Sequence, residues 1–388
     1  MLTTRAMVLG SLDPRISYET SLYYSTKAVS INYIPGSLTL DPGGWDLANS
    51  IFLGDLFGYK YKKELPPDYI PPGSGKQEAE PDWDEYLKRV WEGLKGGAAV
   101  QVCQGWMNVE ITDDGQMIGP GGMDPFWWEG MEARPDMHYG AVVGMDKSAD
   151  PALVYMHDPI GGWFGVGRDI EYTQPEFIDR IAACSVPQLK RITHTYRDPG
   201  NGTGLDKKRL PEIERSVRER ITAKINGSAE VYDSSETWAS FLGPGWNGLI
   251  TCGAQDGLDA LLQDLEEAQF QAVLSQAERE PLDIVSYLDL SAYHYAHIAG
   301  ISAEHLEEQG RTDEWEWLFT LHMLYERMQL STAQVRAVFK GNYLNGSSDP
   351  LGDSVAGSSE YLADLGRTAA KLQSHFFDYP GFADRLEL

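Results

Sequence analysis

The sequence predicts an α+β protein built from two domains. Helical apolar spacing and then a series of short apolar runs fill the first half. A turn-rich stretch, "DPGNGTGLDKKRLP" (198–211), closes that half, and beyond it apolar residues recur at three- and four-residue intervals. These features place an α+β domain with an antiparallel sheet at 1–198 and a mostly helical domain at 211–388. A chain of 388 residues supports two domains of ordinary size.

The elements follow in order. "ETSLYYSTKAVSIN" (19–32) reads as a helix with Leu22, Thr26 and Val29 on one face and Tyr23 beside them. "YIPGSLTLDPGGWD" is dense in turn formers and reads as a loop. "WDLANSIFLGDLFGY" reads as a second helix, capped near Asp41 or Asp46. Residues 64–82 are rich in proline and polar side chains and read as an exposed connection. "DEYLKRVWEGLKGG" is an amphipathic helix stopped by Gly96-Gly97, and "AAVQVCQGW" is a strand. A Gly/Pro-punctuated segment, 107–136, carries Phe126, Trp127 and Trp128; loops of that length in compact domains are functional or disordered. Strands at 138–144 and 152–157, a helix from Gln174 and a last strand in "LKRITHTYR" complete the first domain. The remainder reads as a bundle or helical cap, with helical segments beginning near 211, 253, 282, 301, 331 and 358.

Formal charge is −26, from 32 basic and 58 acidic residues. Such a surface repels phosphate backbones, so nucleic acid is excluded as a partner, while a cationic substrate is drawn in. The three cysteines, Cys103, Cys184 and Cys252, contain no C-x-x-C pair, which argues against a disulfide framework or a thiolate zinc site. No apolar run spans a bilayer and the first residues lack a signal peptide's apolar core, so a soluble cytoplasmic protein is expected.

Chemistry concentrates in "MHYGAVVGMDKSADPALVYMHDPIGGW" (137–163). His138 heads one strand and Asp158 ends the next; if the strands pair, the two side chains meet at one end of the sheet. A neutral imidazole that takes a nucleophile's proton, with a carboxylate fixing its tautomer, is the base of serine and cysteine nucleophile triads. The plainer alternative is a strand-capping histidine and an Asp-Pro turn.

"HYGAVVGMD…LVYMHDPIGG" resembles the histidine strand and Asp-Pro element of papain-like proteins of the bacteriocin-leader-peptidase type. The strand "GGAAVQV" before it is similar to the one preceding the histidine in that fold. The order of elements resembles, more narrowly, the butirosin-biosynthesis acyltransferase family, with its papain-like domain followed by a helical domain. That resemblance implies acyl transfer from a carrier-protein thioester to an amine through an acyl-cysteine. Sharp matches are confined to 17–30 and 137–162. The departure is at the nucleophile: the family places Cys before Glu-Thr, whereas this chain has Tyr18, then Glu19 and Thr20. A phenol with an ordinary pKa of about 10 needs a base or positive field to react at neutral pH. Tyr18 thus stands as nucleophile, as general acid, or in a dead site.

Cys103 ends its strand and is either a relocated nucleophile or a small buried hydrophobe. Cys184 reads as core, and Cys252 precedes a helix start, where thiol pKa falls. Gln104 is either an oxyanion donor or an exposed strand-end side chain. Trp127 and Trp128 either wall a substrate cleft or pack on their own domain. In the helical half, His294 and His297 share one face, as do His322 and Glu326; together they form a weak metal candidate. The glycine-rich stretches at 119–122, 161–167 and 200–204 lack nucleotide-binding spacing.

The leading expectation is an acyltransferase or amide hydrolase acting on a small, cation-favouring substrate, with His138 as base and Asp158 as orienter. Tyr18 takes the nucleophile position with Cys103 in reserve, and Glu19, Gln104, Trp127 and Trp128 contact substrate. The acyl donor is a thioester or carrier protein, no cofactor or metal is called for, no membrane is involved, and homodimerisation stays open. The competing expectation is a binding protein on a degenerate peptidase fold; a metal-dependent enzyme using the helical histidines is third.

Overall fold

The computed structural model describes residues 2–41, 47–69, 80–105, 110–111, 117–118, 137–158, 170–184, 190–200, 204–226, 251–252, 254–276 and 280–380. The chain is α+β and folds into two units that exchange segments. One holds 1–21, 45–210 and 233–246; the other holds 22–44, 211–232 and 247–388. The division at 210/211 falls inside the turn-rich stretch of the sequence. Residues 22–44, in contrast, join the helical unit.

The first unit is organised on a six-stranded, fully antiparallel sheet. Its strands are β3 (Lys60–Glu64), β4 (Val100–Gly105), β7 (Met137–Asp146), β8 (Leu153–His157), β9 (Ile170–Thr173) and β10 (Thr193–Arg197), in the order β3-β10-β4-β7-β8-β9. A two-stranded ribbon, β5 (Glu110–Ile111) with β6 (Met117–Ile118), lies in the same unit. β4 is central and buried along its whole length.

One sheet face is closed by α4 (Trp83–Lys95) and α5 (Gln174–Ala182). Their Tyr86, Leu87, Val90, Phe177 and Ile181 pack on Val100, Val102, Val142, Val154 and Met156. Each such aliphatic or aromatic side chain contributes roughly 1.5–3 kcal/mol by leaving water. The helix ends follow local chemistry. Asp82 accepts the Glu85 N–H at 2.9 Å to start α4, and Gly97 at φ +87° lets the chain turn away after it. Thr173 and Glu176 form a capping box at α5.

The other face is covered by α1 (Leu2–Leu12), a helix not expected from the sequence. Thr4 donates to the Tyr139 carbonyl at 3.0 Å, and Ser11 accepts the Ala99 N–H at 2.9 Å, tying α1 to β7 and to the approach of β4. The helix expected over 19–32 is corrected. Only α2 (Tyr18–Tyr24) forms, followed by a 3-10 turn at Lys27–Val29 and by β1 (Asn32–Ile34). Thr26 adopts φ 56°, a left-handed conformation rare for a β-branched residue, and this stops the helix. The loop expected at 33–46 carries β2 (Thr39–Asp41) paired with β1. α3 (Leu47–Phe57) lies within the second expected helix and ends at Gly58, φ +79°.

In the second unit β11 (Thr251–Cys252), β1 and β2 form a small antiparallel sheet. The helices are α6 (Leu210–Ile225), whose first residue closes the first unit's 45–210 segment, α7 (Ala254–Asp264), α8 (Glu267–Gln276), α9 (Pro281–Glu308), α10 (Thr312–Leu344), α11 (Pro350–Gly357) and α12 (Ser359–Phe376). α9 and α10 form a long antiparallel hairpin. The sequence predicted breaks near 300 and 330, whereas the chain breaks at Gly310. There the Gly310 N–H bonds to the Glu307 carbonyl at 2.9 Å and the Arg311 N–H to Leu306 at 3.0 Å, a Schellman motif with Gly310 at φ +69°. Tyr295 and Tyr325 stack at 5.0 Å between the two helices and donate to the Ser30 and Ala28 carbonyls, at 2.5 and 2.8 Å. Two buried phenols thereby satisfy the backbone of the 3-10 turn.

Candidate functional site

Strand register sets the site. β4 and β7 pair with Gln104 opposite His138, Cys103 opposite Tyr139 and Val102 opposite Gly140. β7 and β8 pair with Ala141 opposite His157, so Asp158, the next residue, follows on opposite Gly140. Because directly paired residues share a face, positions 104, 138, 140 and 158 lie on one face at one end of the sheet. That is the face whose interior is packed by α4 and α5. The His138 side chain lies outside the described residues; its backbone holds the register above.

Gln104 reaches across β7. Its side-chain N–H donates to Asp158 Oδ2 at 3.2 Å. Gly140 makes the reach possible: a Cβ there would sit 3.2 Å from Gln104 Nε2 and 2.6 Å from Met156 Cε. The sequence offered Gln104 as an exposed strand-end residue or an oxyanion donor. It is instead buried, 2% exposed, with one amide hydrogen committed to Asp158. Its Oε1 is buried without a hydrogen-bond partner among the described residues. Asp158 is half-buried and within electrostatic range of the Tyr172 phenol, whose pKa rises through burial first and Asp158 among lesser causes. The Arg180 guanidinium lies 4.4 Å over the Tyr172 ring.

Cys103 points to the opposite face of β4 from Gln104. It is 1% exposed, with Sγ 3.2 Å from Cys184 Sγ. The two meet because α5 ends hard against β4, where a Cβ on Gly105 would fall 2.3 Å from the Ala183 carbonyl oxygen. Burial, and then the neighbouring Cys184 thiol, push the Cys103 pKa well up, so the nucleophilic thiolate is disfavoured. Cys184 is buried, in keeping with a core position. The Cys252 side chain, Trp127 and Trp128 lie outside the described residues.

Tyr18 and Glu19 open α2, Tyr18 half-buried and Glu19 exposed. Ser17 Oγ accepts the Thr20 N–H at 3.2 Å and lies 3.0 Å from Thr20 Oγ1, fixing this turn. A single polar turn thus presents Tyr18.

His194 is among the histidines not singled out from the sequence. On β10, opposite Gln101, it is buried beside Tyr139 on the face covered by α1. Burial, with smaller contributions from Arg5 and Lys63, lowers its pKa to about 3. The imidazole is therefore neutral, and its Nδ1 shares a hydrogen bond with the Tyr61 hydroxyl at 2.5 Å. Tyr139 is likewise held protonated by burial. These groups form a neutral polar core. The only sequence signal was a histidine alternating with threonines in an otherwise strand-like run.

The helical histidines are spread along the α9/α10 hairpin. His294 is neutral, its pKa lowered to about 4 by burial and then by His297. His322 Nδ1 bonds to the Ala296 carbonyl at 2.8 Å, and Nε2 lies 3.5 Å from Glu326. Among the described residues no group of three or more His, Cys, Asp or Glu side chains is gathered to hold a metal ion. No described helix is long and apolar enough to cross a membrane.

Neither protein-family models nor curated protein sequences give a match to this chain.

Proposed function

We propose that the chain is an acyl- or amide-processing enzyme, an acyltransferase or amide hydrolase on a papain-like first unit, with His138 as general base and Asp158 as its orienter. The observation that carries this reading is the Gln104–Asp158 hydrogen bond over Gly140, at the strand end where register sets His138 opposite Gln104. An amide N–H favours the charged carboxylate, and a fixed carboxylate selects the imidazole tautomer that accepts a proton. Gln104 serves here by holding Asp158. Tyr18 is the acyl acceptor in the family's cysteine position; the burial of Cys103 removes support for it as a reserve nucleophile. The acidic surface favours a cationic acyl acceptor.

The test is intact-protein mass after incubation with a panel of acyl-pantetheine thioesters. An acyl adduct is expected on the wild type, lost in Tyr18→Phe and His138→Ala and kept in Cys103→Ala. An adduct that persists in both of the first two variants contradicts the proposal.

A second reading has its own observation. Tyr18 stands in the family's cysteine position, and Cys103 and Cys184 are both buried, so the same site without a competent nucleophile would bind a small molecule or peptide without turning it over. Saturable ligand binding with no adduct and no product would select it.

A further inference from the structure

We infer that α10 is a self-association helix through which two copies of the chain pair antiparallel about Ala333. Phe319, Met323, Leu330 and Leu344 are between 43% and 73% exposed, although each is large and apolar. At 100° per residue they fall within an arc of about 60° on one side of the helix. The spacing is a heptad pattern of fours and threes, 319, 323, 326, 330, 333, 337, 340 and 344, sustained over more than three heptads. Trp315 extends the stripe by stacking on Phe319 at 5.5 Å. The opposite side of α10 is consumed by its own unit, where Leu321, Tyr325, Met328, Val335 and Phe339 are buried.

The occupant is chosen by charge and by shape. In a chain carrying 58 acidic residues, these eight heptad positions hold one acid, Glu326, and one base, Lys340. They stand two heptads apart, equally far from Ala333 on either side. A twofold axis at Ala333 therefore sets each Glu326 against the other copy's Lys340, whereas a parallel pair would set like against like. Among the described residues of its own chain Glu326 meets His322, at 3.5 Å. The centre of the stripe is small: Ala333, Ala337 and Gly341, where an added Cβ would meet nothing within 4 Å. Two helices approach closely there, while Leu330 of each copy packs beside Ala337 of the other. An exposed apolar stripe of this extent on a soluble surface marks an interaction site.

Sedimentation velocity of the full chain across the micromolar range tests this. The wild type is expected to dimerise, and Leu330→Asp to be monomeric with unchanged helical circular dichroism. Glu326→Lys and Lys340→Glu are each expected to raise Kd about tenfold or more. An equimolar mixture of those two variants is expected to regain dimers, because every crossed pair is then opposite in sign. A wild type that is monomeric at every concentration would overturn the proposal and leave the stripe to a different protein partner. A dimer indifferent to Leu330→Asp, or a mixture that fails to regain dimers, would overturn the proposed face or its register.

Discussion

The Gln104 side chain donates to Asp158 across a position that carries no side chain of its own, Gly140. Three strands contribute to this contact, and its geometry depends on the glycine between the two polar groups. The strand "HYGAVVG" therefore places its first glycine for side-chain clearance; nothing in the backbone there demands one.

Gly140→Ala should expose that dependence. Its Cβ would meet Met156 Cε at 2.6 Å and Gln104 Nε2 at 3.2 Å, so both must move. A loss of about 1–3 kcal/mol in unfolding free energy is expected from overpacking. Urea denaturation checks it, and an unchanged midpoint would show that Met156 and Gln104 yield without cost.

Gln104→Glu places a second carboxylate where the amide met Asp158. Like charges at this separation raise carboxyl pKa values, so the folded variant binds protons more tightly than its unfolded chain. Relative to wild type it is expected to lose stability as pH rises from 5 to 8, and to recover part of it at the acid end. Urea midpoints of both proteins across that range provide the measurement.

His194 has the opposite sign. Its folded pKa, about 3, lies below the ordinary value of 6.5, so its contribution is complete above pH 6.5 and is lost as pH falls toward 3. His294, at about 4 in the folded chain, acts in the same direction. Between pH 6 and 5 each is expected to remove up to about 1.4 kcal/mol per pH unit. His194→Gln should flatten that part of the profile in chemical denaturation, and a profile identical to wild type would show that the His194 ring is hydrated.

Two glycines in the helical unit should respond in opposite ways. Gly310 holds φ +69° at the α9 terminus, and Gly310→Ala is expected to cost about 1 kcal/mol. Gly366 lies inside α12, where an added methyl would meet nothing within 4 Å, so Gly366→Ala is expected to add about 0.5–1 kcal/mol. Thermal unfolding of the two variants against wild type separates the effects.

How much of this was legible depended on how local its cause is. The strands around His138 and Asp158 and the α4 and α5 helices announce themselves through apolar runs and caps at Asp82 and Thr173. The failure at 19–32 is also local in origin, since a helical pattern is cut short by Thr26 in a left-handed conformation. That conformation is sustained by distant partners: Lys224 donates to the carbonyls of Ser25 and Thr26, at 3.4 and 3.5 Å, and to the Ser30 hydroxyl. No window of sequence contains both ends of such a contact. The same holds at the site. The Asp158 and Gln104 side chains were each singled out, but that one holds the other, with Gly140 as the gap, follows only from register. The burial of Cys103 required the α5 terminus at Gly105, distant along the chain but adjacent in the fold.

The most direct test of the central claim is a double-mutant comparison of thiol release from acyl-pantetheine thioesters by wild type, His138→Ala, Asp158→Asn and the double variant. Residues that act as one base lose their effect together. Each single substitution is predicted to lower kcat/KM, and the double variant to fall no further than His138→Ala. Turnover that survives His138→Ala, or losses that multiply in the double variant, would contradict a His138–Asp158 unit.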